Sequence, residues 1–259
     1  FIWKKKWDKV LDWNFESVDI KWFKNGKLNI TENIFERNLK ERGDKTAIIW
    51  EPNDPNEPSI HLTYNELYEE TCKFSNALRD KGVKKGDRVI IYMPMIPEAV
   101  VAMLACGRIG AIHSVVFGGF ASNELASRID DSKAKILITA SCGFEPGRTV
   151  EYRPLVDGAL KLANHQVQKV ILFQRKGHEV KLNKPLEISW DEALSGADDK
   201  DCVEMGANDY AYILYTSGTT GIPKGIVRDI GGHIVALKWT MKNIYNIDQD
   251  DVWWSASDI

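Results

Sequence analysis

The chain lacks the cysteine pattern of a disulfide scaffold or of a zinc site. Only four cysteines occur among its 259 residues, Cys72, Cys106, Cys142 and Cys202, and no two of them form a Cys-x-x-Cys pair. No histidine clusters with them, as the common cysteine metal motifs would require. We therefore expect free thiols and a reduced compartment, either the cytoplasm or, in a eukaryote, the mitochondrial matrix.

The chain also has little net charge and no long apolar run that is free of charges. Its 34 basic and 37 acidic residues give a formal charge of −3, which does not favour a nucleic-acid or membrane partner. The longest apolar stretch, residues 97–120, contains Glu98, Arg108 and His113. A bilayer helix needs about 20 residues with few charges. We therefore expect a buried helix, a turn and a buried strand in this stretch.

Short apolar runs alternate with helical patterns along most of the chain. This order predicts an α/β fold built from βαβ units, with a parallel sheet covered on both faces. The predicted strands are residues 46–50, 87–93, 111–117, 135–140, 167–174, 209–216 and 251–257, and the predicted helices are 62–82, 97–110, 122–134, 149–163 and 231–246.

Several helix starts carry their own signals. Thr63 with Glu66 three residues later is typical of a capping box, and Pro97 suits a first helical turn. Ser122 or Asn123 is the expected N-cap of the helix that follows.

A polar, glycine-rich loop follows the strand predicted at 209–216. It reads YTSGTTGIPKG, from Tyr215 to Gly225. Its glycines allow backbone N–H groups to approach an anion, its hydroxyls add donors and its lysine adds one positive charge. The spacing matches neither a Walker A loop nor a dinucleotide fingerprint. The residues alone therefore leave two interpretations open, a phosphate-binding loop or a turn without a ligand.

The loop resembles the phosphate-binding loop of the adenylate-forming enzymes, in which a hydroxyl-Ser-Gly-Thr/Ser-Thr-Gly-x-Pro-Lys-Gly pattern recurs. The stretches 20–37, 46–51, 91–120 and 128–140 are similar to acetyl-CoA and propionyl-CoA synthetases, and the segment after the loop is more similar to the propionyl-CoA branch. The resemblance implies an N-terminal extension over residues 1–45. It also implies the first part of the large adenylation domain over residues 46–259.

The resemblance also implies a reaction and its site residues. ATP and a short carboxylate, propionate or acetate, would give an acyl-adenylate, and coenzyme A would then take the acyl group. Lys224 and Thr216 would act in catalysis, with Mg²⁺ sharing the phosphate charge and without a metal site made by the protein. The ATP phosphates would contact Thr216, Ser217, Gly218, Thr219, Thr220, Gly221 and Lys224.

A second segment resembles the part of acetyl-CoA synthetases that binds the nucleotide of coenzyme A. That part carries two arginines around a glycine. Here Gly147 and Arg148 match the pattern, and both are expected to contact coenzyme A, whereas Glu145 replaces the first arginine. A carboxylate at that position would repel a phosphate.

The resemblance predicts a piece of a longer enzyme that is inactive alone and that exposes Trp253 and Trp254. Two alternatives stay open. The protein could be a ligase for a different carboxylic acid, or an ATP-binding module without catalytic activity.

Overall fold

The computed structural model describes residues 1–194, 201–216 and 223–257. Strands within these ranges are β1 (Lys9–Asn14), β2 (Asp19–Lys24), β3 (Lys27–Leu28), β4 (Thr46–Trp50), β5 (Ile60–Thr63), β6 (Arg88–Met93), β7 (Ile112–Phe117), β8 (Ile136–Ala140), β9 (Cys142–Glu145), β10 (Arg148–Glu151), β11 (Lys169–Phe173), β12 (Glu187–Ser189), β13 (Met205–Gly206), β14 (Tyr210–Thr216) and β15 (Lys224–Asp229). The helices are α1 (Ile30–Arg42), α2 (Tyr64–Asp80), α3 (Pro97–Ile109), α4 (Ser122–Ser132), α5 (Tyr152–Leu162), α6 (Trp190–Leu194) and α7 (Gly231–Asn243).

A sheet of seven described strands forms the centre of the molecule, in the order β12-β11-β8-β6-β7-β14-β15. Neighbouring strands run parallel, except that β15 returns antiparallel to β14. In the middle of the sheet, Val89 pairs with His113 on one side and with Ile136 on the other. The predicted α/β architecture with a parallel sheet is confirmed.

Strands β6 and β8 are mainly apolar because helices cover them from two sides. Every residue of β8, and of β6 from Val89 to Met93, is buried. Helices α1, α2, α3 and α6 form one group of mutual contacts, and α4 packs on α5 in a second group. Both groups contact β6. Continuous apolar runs are expected for strands that are buried on both faces.

Helix ends follow the sequence signals in two cases and depart from them in one. The capping box at α2 is present, since the Glu66 amide donates to the Thr63 hydroxyl and the Thr63 amide donates to the Glu66 carboxylate at 2.8 Å. Pro97 occupies the first turn of α3. The N-cap predicted for α4 is wrong: Ala121 holds that position, because the Ser122 hydroxyl instead donates to the carbonyl of Leu155 at 2.8 Å.

The α2 cap gives a stability prediction. Thr63→Ala removes the side-chain acceptor of the capping box and should lower the free energy of unfolding by about 1 kcal/mol. Urea unfolding followed by circular dichroism measures this. Thr63→Ser keeps the hydroxyl and should lower the free energy of unfolding by only about 0.3 kcal/mol. Equal losses in the two variants would show that the cap does not contribute.

The strand pattern differs from the prediction in several places, and nine of the fifteen described strands lie outside the predicted ones: β1, β2, β3, β5, β9, β10, β12, β13 and β15. The first predicted strand, β4, lies outside the main sheet and pairs antiparallel with β5. Residues 224–229, which the sequence pattern did not assign, form β15. The strand predicted at 251–257 is wrong for its described residues, which pair with no other strand. There the ring centroid of Trp253 lies 4.7 Å from that of Tyr245. Propensity for a strand depends on the packing context, and here the apolar run contacts a side chain instead of a neighbouring strand.

Two expectations from composition can be compared with the structure. All four cysteines are free, which confirms the prediction of free thiols. Trp253 and Trp254 are 47% and 80% exposed, as predicted. Among the described helices, none combines the length and the apolar character that a membrane crossing demands.

Candidate functional site

A cleft of about 1530 Å³ opens at the carboxyl ends of the parallel strands. Residues 93–96 follow β6 into it, residues 115–119 include the end of β7, and residues 143–149 span the β9–β10 hairpin. Further lining comes from the β4–β5 connection and from the segment after β11. In open α/β sheets, ligands bind beyond the carboxyl ends of the strands. We call this space the cleft and take it as the candidate ligand site.

The ends of the predicted phosphate loop meet at the same edge of the sheet. Thr216 is the last residue of β14 and pairs across the antiparallel ladder with Lys224, the first residue of β15. Both residues are exposed. The hairpin therefore brings the predicted lysine and the predicted hydroxyl opposite each other. The other predicted phosphate ligands, Ser217, Gly218, Thr219, Thr220 and Gly221, lie outside the described residues.

Tyr215 anchors the end of β14 next to this loop. Its hydroxyl donates to Asp131 Oδ2 of α4 at 2.5 Å. The guanidinium carbon of Arg128 lies 5.3 Å from the Tyr215 ring centroid and 5.0 Å from that of Phe120. Burial, and then the carboxylate of Asp131, raise the pKa of Tyr215 above its ordinary value. The phenol therefore stays neutral at physiological pH and acts as a hydrogen-bond donor that ties β14 to α4.

The second predicted site forms a tight hairpin at the cleft. Pro146 and Gly147 make the two-residue turn between β9 and β10, and Gly147 has φ +77°, which suits proline followed by glycine in a type II turn. Arg148 lines the cleft, but its Nη2 lies 2.6 Å from Glu145 Oε2 and its side chain is 70% exposed. The glutamate that replaces the family arginine thus pairs with Arg148.

Tyr152 explains why two glycines line the cleft. A Cβ atom on Gly118 would lie 1.9 Å from the Tyr152 hydroxyl oxygen, and one on Gly143 would lie 2.8 Å from it. Any side chain at Gly118 would therefore displace Tyr152 from the start of α5. Burial raises the pKa of the Tyr152 phenol above its ordinary value and that of the neighbouring Tyr92 to about 12. Both phenols are therefore neutral near pH 7. Tyr152 lines the cleft, and the ring centroid of Tyr92 lies 5.0 Å from that of Tyr152.

Sequence reasoning missed a group of basic residues in the cleft. Arg175, Lys176 and His178 follow the carboxyl end of β11 and line the cleft. The signal that could have found them was their position, because polar residues directly after a buried parallel strand lie at the ligand-binding edge of the sheet. Among the described residues, no group of three histidine, cysteine, aspartate or glutamate side chains could hold a metal ion.

Comparison with known proteins gives two family matches. A family model described as "AMP-binding enzyme" matches residues 35–259, and one described as "Acetyl-coenzyme A synthetase N-terminus" matches residues 1–34.

Individual relatives agree with these matches. The chain is 50% identical over 259 residues to "Acyl-CoA synthetase short-chain family member 3, mitochondrial" of Bos taurus, covering 99% of this chain and 38% of that protein. It is 44% identical to "Acetyl-coenzyme A synthetase" of Xylella fastidiosa, covering 97% of this chain and 39% of the relative. The chain thus spans less than two fifths of each of these two relatives.

A solved structure supports the fold. "Acetoacetyl-CoA Synthetase from Streptomyces lividans" superposes with a TM-score of 0.84 at 24% identity, over 95% of this chain and 37% of that one. The resemblance to acyl-CoA and acetyl-CoA synthetases found in the sequence is confirmed by the relatives. Since the first model covers most of its length, the chain belongs to the family of AMP-binding enzymes.

Proposed function

We propose that the protein containing this chain is an AMP-forming short-chain acyl-CoA synthetase. A carboxylate oxygen attacks the α-phosphorus of ATP, and the bond to pyrophosphate breaks. The thiol sulfur of coenzyme A then attacks the acyl carbon, the bond to AMP breaks and the thiol proton leaves. The family match supports ATP and coenzyme A as substrates. We propose that residues 1–45 are an N-terminal extension and that residues 46–259 begin the adenylation domain.

The observation that carries the proposal is the β14–β15 hairpin. It places Lys224 and Thr216 opposite each other at the carboxyl edge of the sheet, at the two ends of a glycine-rich segment. Lys224 neutralises charge on the phosphates and the Thr216 hydroxyl donates to them, while the residues between them, 217–221, supply backbone donors. Positioning and charge neutralisation are sufficient for this step because the attacking group belongs to the substrate.

Mg²⁺ enters the proposal only with the nucleotide. This ion is commonly held by one or two carboxylates together with the substrate phosphates. The part of the chain that the structure describes contains no cluster of three potential ligands. We therefore propose that Mg²⁺ arrives as its ATP complex, and no step depends on a protein-bound metal.

Coenzyme A is proposed to bind in the cleft, with Gly147 and Arg148 at its nucleotide end. The reduced state of all four cysteines and the mitochondrial relative support a reducing compartment, either the cytoplasm or the mitochondrial matrix. The proposed partners are small molecules.

ATP–pyrophosphate exchange with a panel of carboxylates tests the function in the full-length protein. We expect exchange with acetate and propionate, with propionate preferred because of the sequence after the loop. A single methylene changes the binding free energy by only about 1–3 kcal/mol, so both acids should react. Exchange only with acids of about six or more carbons would indicate a different ligase. ATP binding without exchange for any acid would indicate a non-catalytic module.

A further inference from the structure

Three basic side chains line one wall of the cleft, and the proposed function assigns them no role. Arg175, Lys176 and His178 belong to the segment that follows β11. Arg175 is half-buried, and the other two are exposed. We call these three residues the basic wall. Their grouping at a ligand-binding edge raises the question of which anion they receive.

Arg175 is held in place from two directions. Its backbone amide donates to Ser141 Oγ at 2.8 Å, and Ser141 is buried just after β8. Its guanidinium carbon lies 4.6 Å from the ring centroid of Phe144, while the His178 ring lies 5.1 Å from the same ring. A guanidinium over an aromatic face keeps its N–H donors in its own plane, where they can grip a phosphate with two hydrogen bonds.

The other arginine of the cleft is already paired. Arg148 donates through Nε to Glu145 Oε2 at 2.7 Å, and its Nη2 lies 2.6 Å from the same oxygen. Within the described ranges, no carboxylate oxygen lies within 4.0 Å of the Arg175 guanidinium. Burial raises the pKa of Glu98, and a backbone hydrogen bond and the charge of Arg175 partly lower it again. Arg175 therefore keeps more of its charge available to a ligand than Arg148 does.

The lining of the cleft also includes acidic side chains. Glu51, Asp54 and Glu57 lie in the β4–β5 connection and also line the cleft. An anionic ligand is repelled by these carboxylates and attracted to the basic wall, because the charges that line a cleft determine the field inside it. The phosphates of a bound ligand should thus lie towards Arg175.

We propose that the basic wall, led by Arg175, binds the phosphate groups at the nucleotide end of coenzyme A, and that Glu145 restrains Arg148. This assignment rests on the proposed function, since coenzyme A is the anion-bearing substrate assigned to the cleft. It makes Arg175 a binding residue in a segment that the sequence resemblance did not single out. Lys176 and His178 add donors beside it.

Titration calorimetry on the full-length protein tests the assignment, with coenzyme A, adenosine 3′,5′-bisphosphate and inorganic phosphate as probes. Arg175→Gln should raise the Kd of the first two probes at least about tenfold, as expected for loss of a charged hydrogen-bond donor. Arg175→Lys, which keeps the charge, should recover part of the affinity. Arg37→Gln is the matched control, because Arg37 is exposed on α1 and outside the cleft. Glu145→Gln should tighten binding by releasing Arg148.

Several results would overturn the assignment. It fails if Arg175→Gln binds adenosine 3′,5′-bisphosphate as tightly as Arg37→Gln does. It also fails if Arg175→Lys loses as much affinity as Arg175→Gln, since a positive charge at this position would then make no contribution to binding. Steady-state kinetics gives an independent readout, because loss of a phosphate contact should raise the KM for coenzyme A more than it lowers kcat.

The proposed function is tested separately by acyl-CoA formation in the unmodified protein. If the unmodified protein forms no acyl-CoA, the proposed function fails, while the bisphosphate titrations still decide whether Arg175 binds phosphate. If it forms acyl-CoA and Arg175→Gln has the affinity of the control, only the assignment of the basic wall fails.

Discussion

Lys224→Gln in the full-length protein should lower the rate of ATP–pyrophosphate exchange by about 10²–10³-fold, the usual effect of removing one preorganised electrostatic donor. Lys224 begins β15 opposite Thr216, with an exposed side chain beside the glycine-rich segment. In the proposed reaction, charge would accumulate on pyrophosphate as its bond to the α-phosphorus breaks, so Lys224 would stabilise the transition state more than bound ATP. The loss should therefore appear mainly in kcat, with a smaller change in the KM for ATP.

A control variant that removes a different lysine separates the role of Lys224 from a general loss of positive charge. Lys242→Gln removes an exposed lysine of α7 whose Nζ pairs with Asp248 at 2.7 Å, and its exchange rate should stay within about twofold of the unmodified protein. The urea midpoint of Lys224→Gln should also be unchanged, since substitutions of exposed side chains usually alter stability by less than about 0.5 kcal/mol. If Lys224→Gln retains more than half of the exchange rate, the lysine has no part in adenylation.

Local signals in the sequence were sufficient where neighbouring residues determine the structure. The Thr63–Glu66 capping box depends on two residues within one helical turn, and both hydrogen bonds are present. The buried strands β6 and β8 are recognisable in the sequence as apolar runs because helices cover both faces of the sheet there. In each case the information lies within a few residues of the element that it determines.

Features that depend on distant partners could not be predicted in the same way. The grouping of Arg175 with the β9–β10 hairpin requires β11 beside β8, in the register that pairs Phe173 with Ala140. Nothing within residues 169–178 specifies that neighbour. Similarly, β15 was missed because its strand character comes from pairing with β14. The assignment of Ser217–Gly221 to phosphate binding rests on the resemblance and stays a prediction.

An ion pair with a buried carboxylate, between two residues that are far apart in the sequence, shows that contacts of this kind also affect stability. Glu187 is 1% exposed, at the start of β12, and Arg153 reaches it from α5. Arg153 Nη2 donates to Glu187 Oε2 at 2.7 Å, and the amide of Asn183 donates to the same oxygen at 2.6 Å. Arg153 Nη1 also contacts Glu187 Oε1. The hydrogen bonds between Arg153 and Glu187 raise the pKa of Arg153. The pair therefore joins the edge strand of the sheet to a helix.

Arg153→Met should lower the free energy of unfolding by about 3–5 kcal/mol, because it leaves the Glu187 carboxylate buried without its cation. The double variant Arg153→Met/Glu187→Gln removes the uncompensated charge and should recover part of this loss. Lys184→Met breaks an exposed pair with Glu192 and should cost no more than about 1 kcal/mol. Chemical denaturation of the four proteins measures these differences. A loss in Arg153→Met as small as that in Lys184→Met would mean that water reaches Glu187 and that the pair does not hold β12 in the sheet.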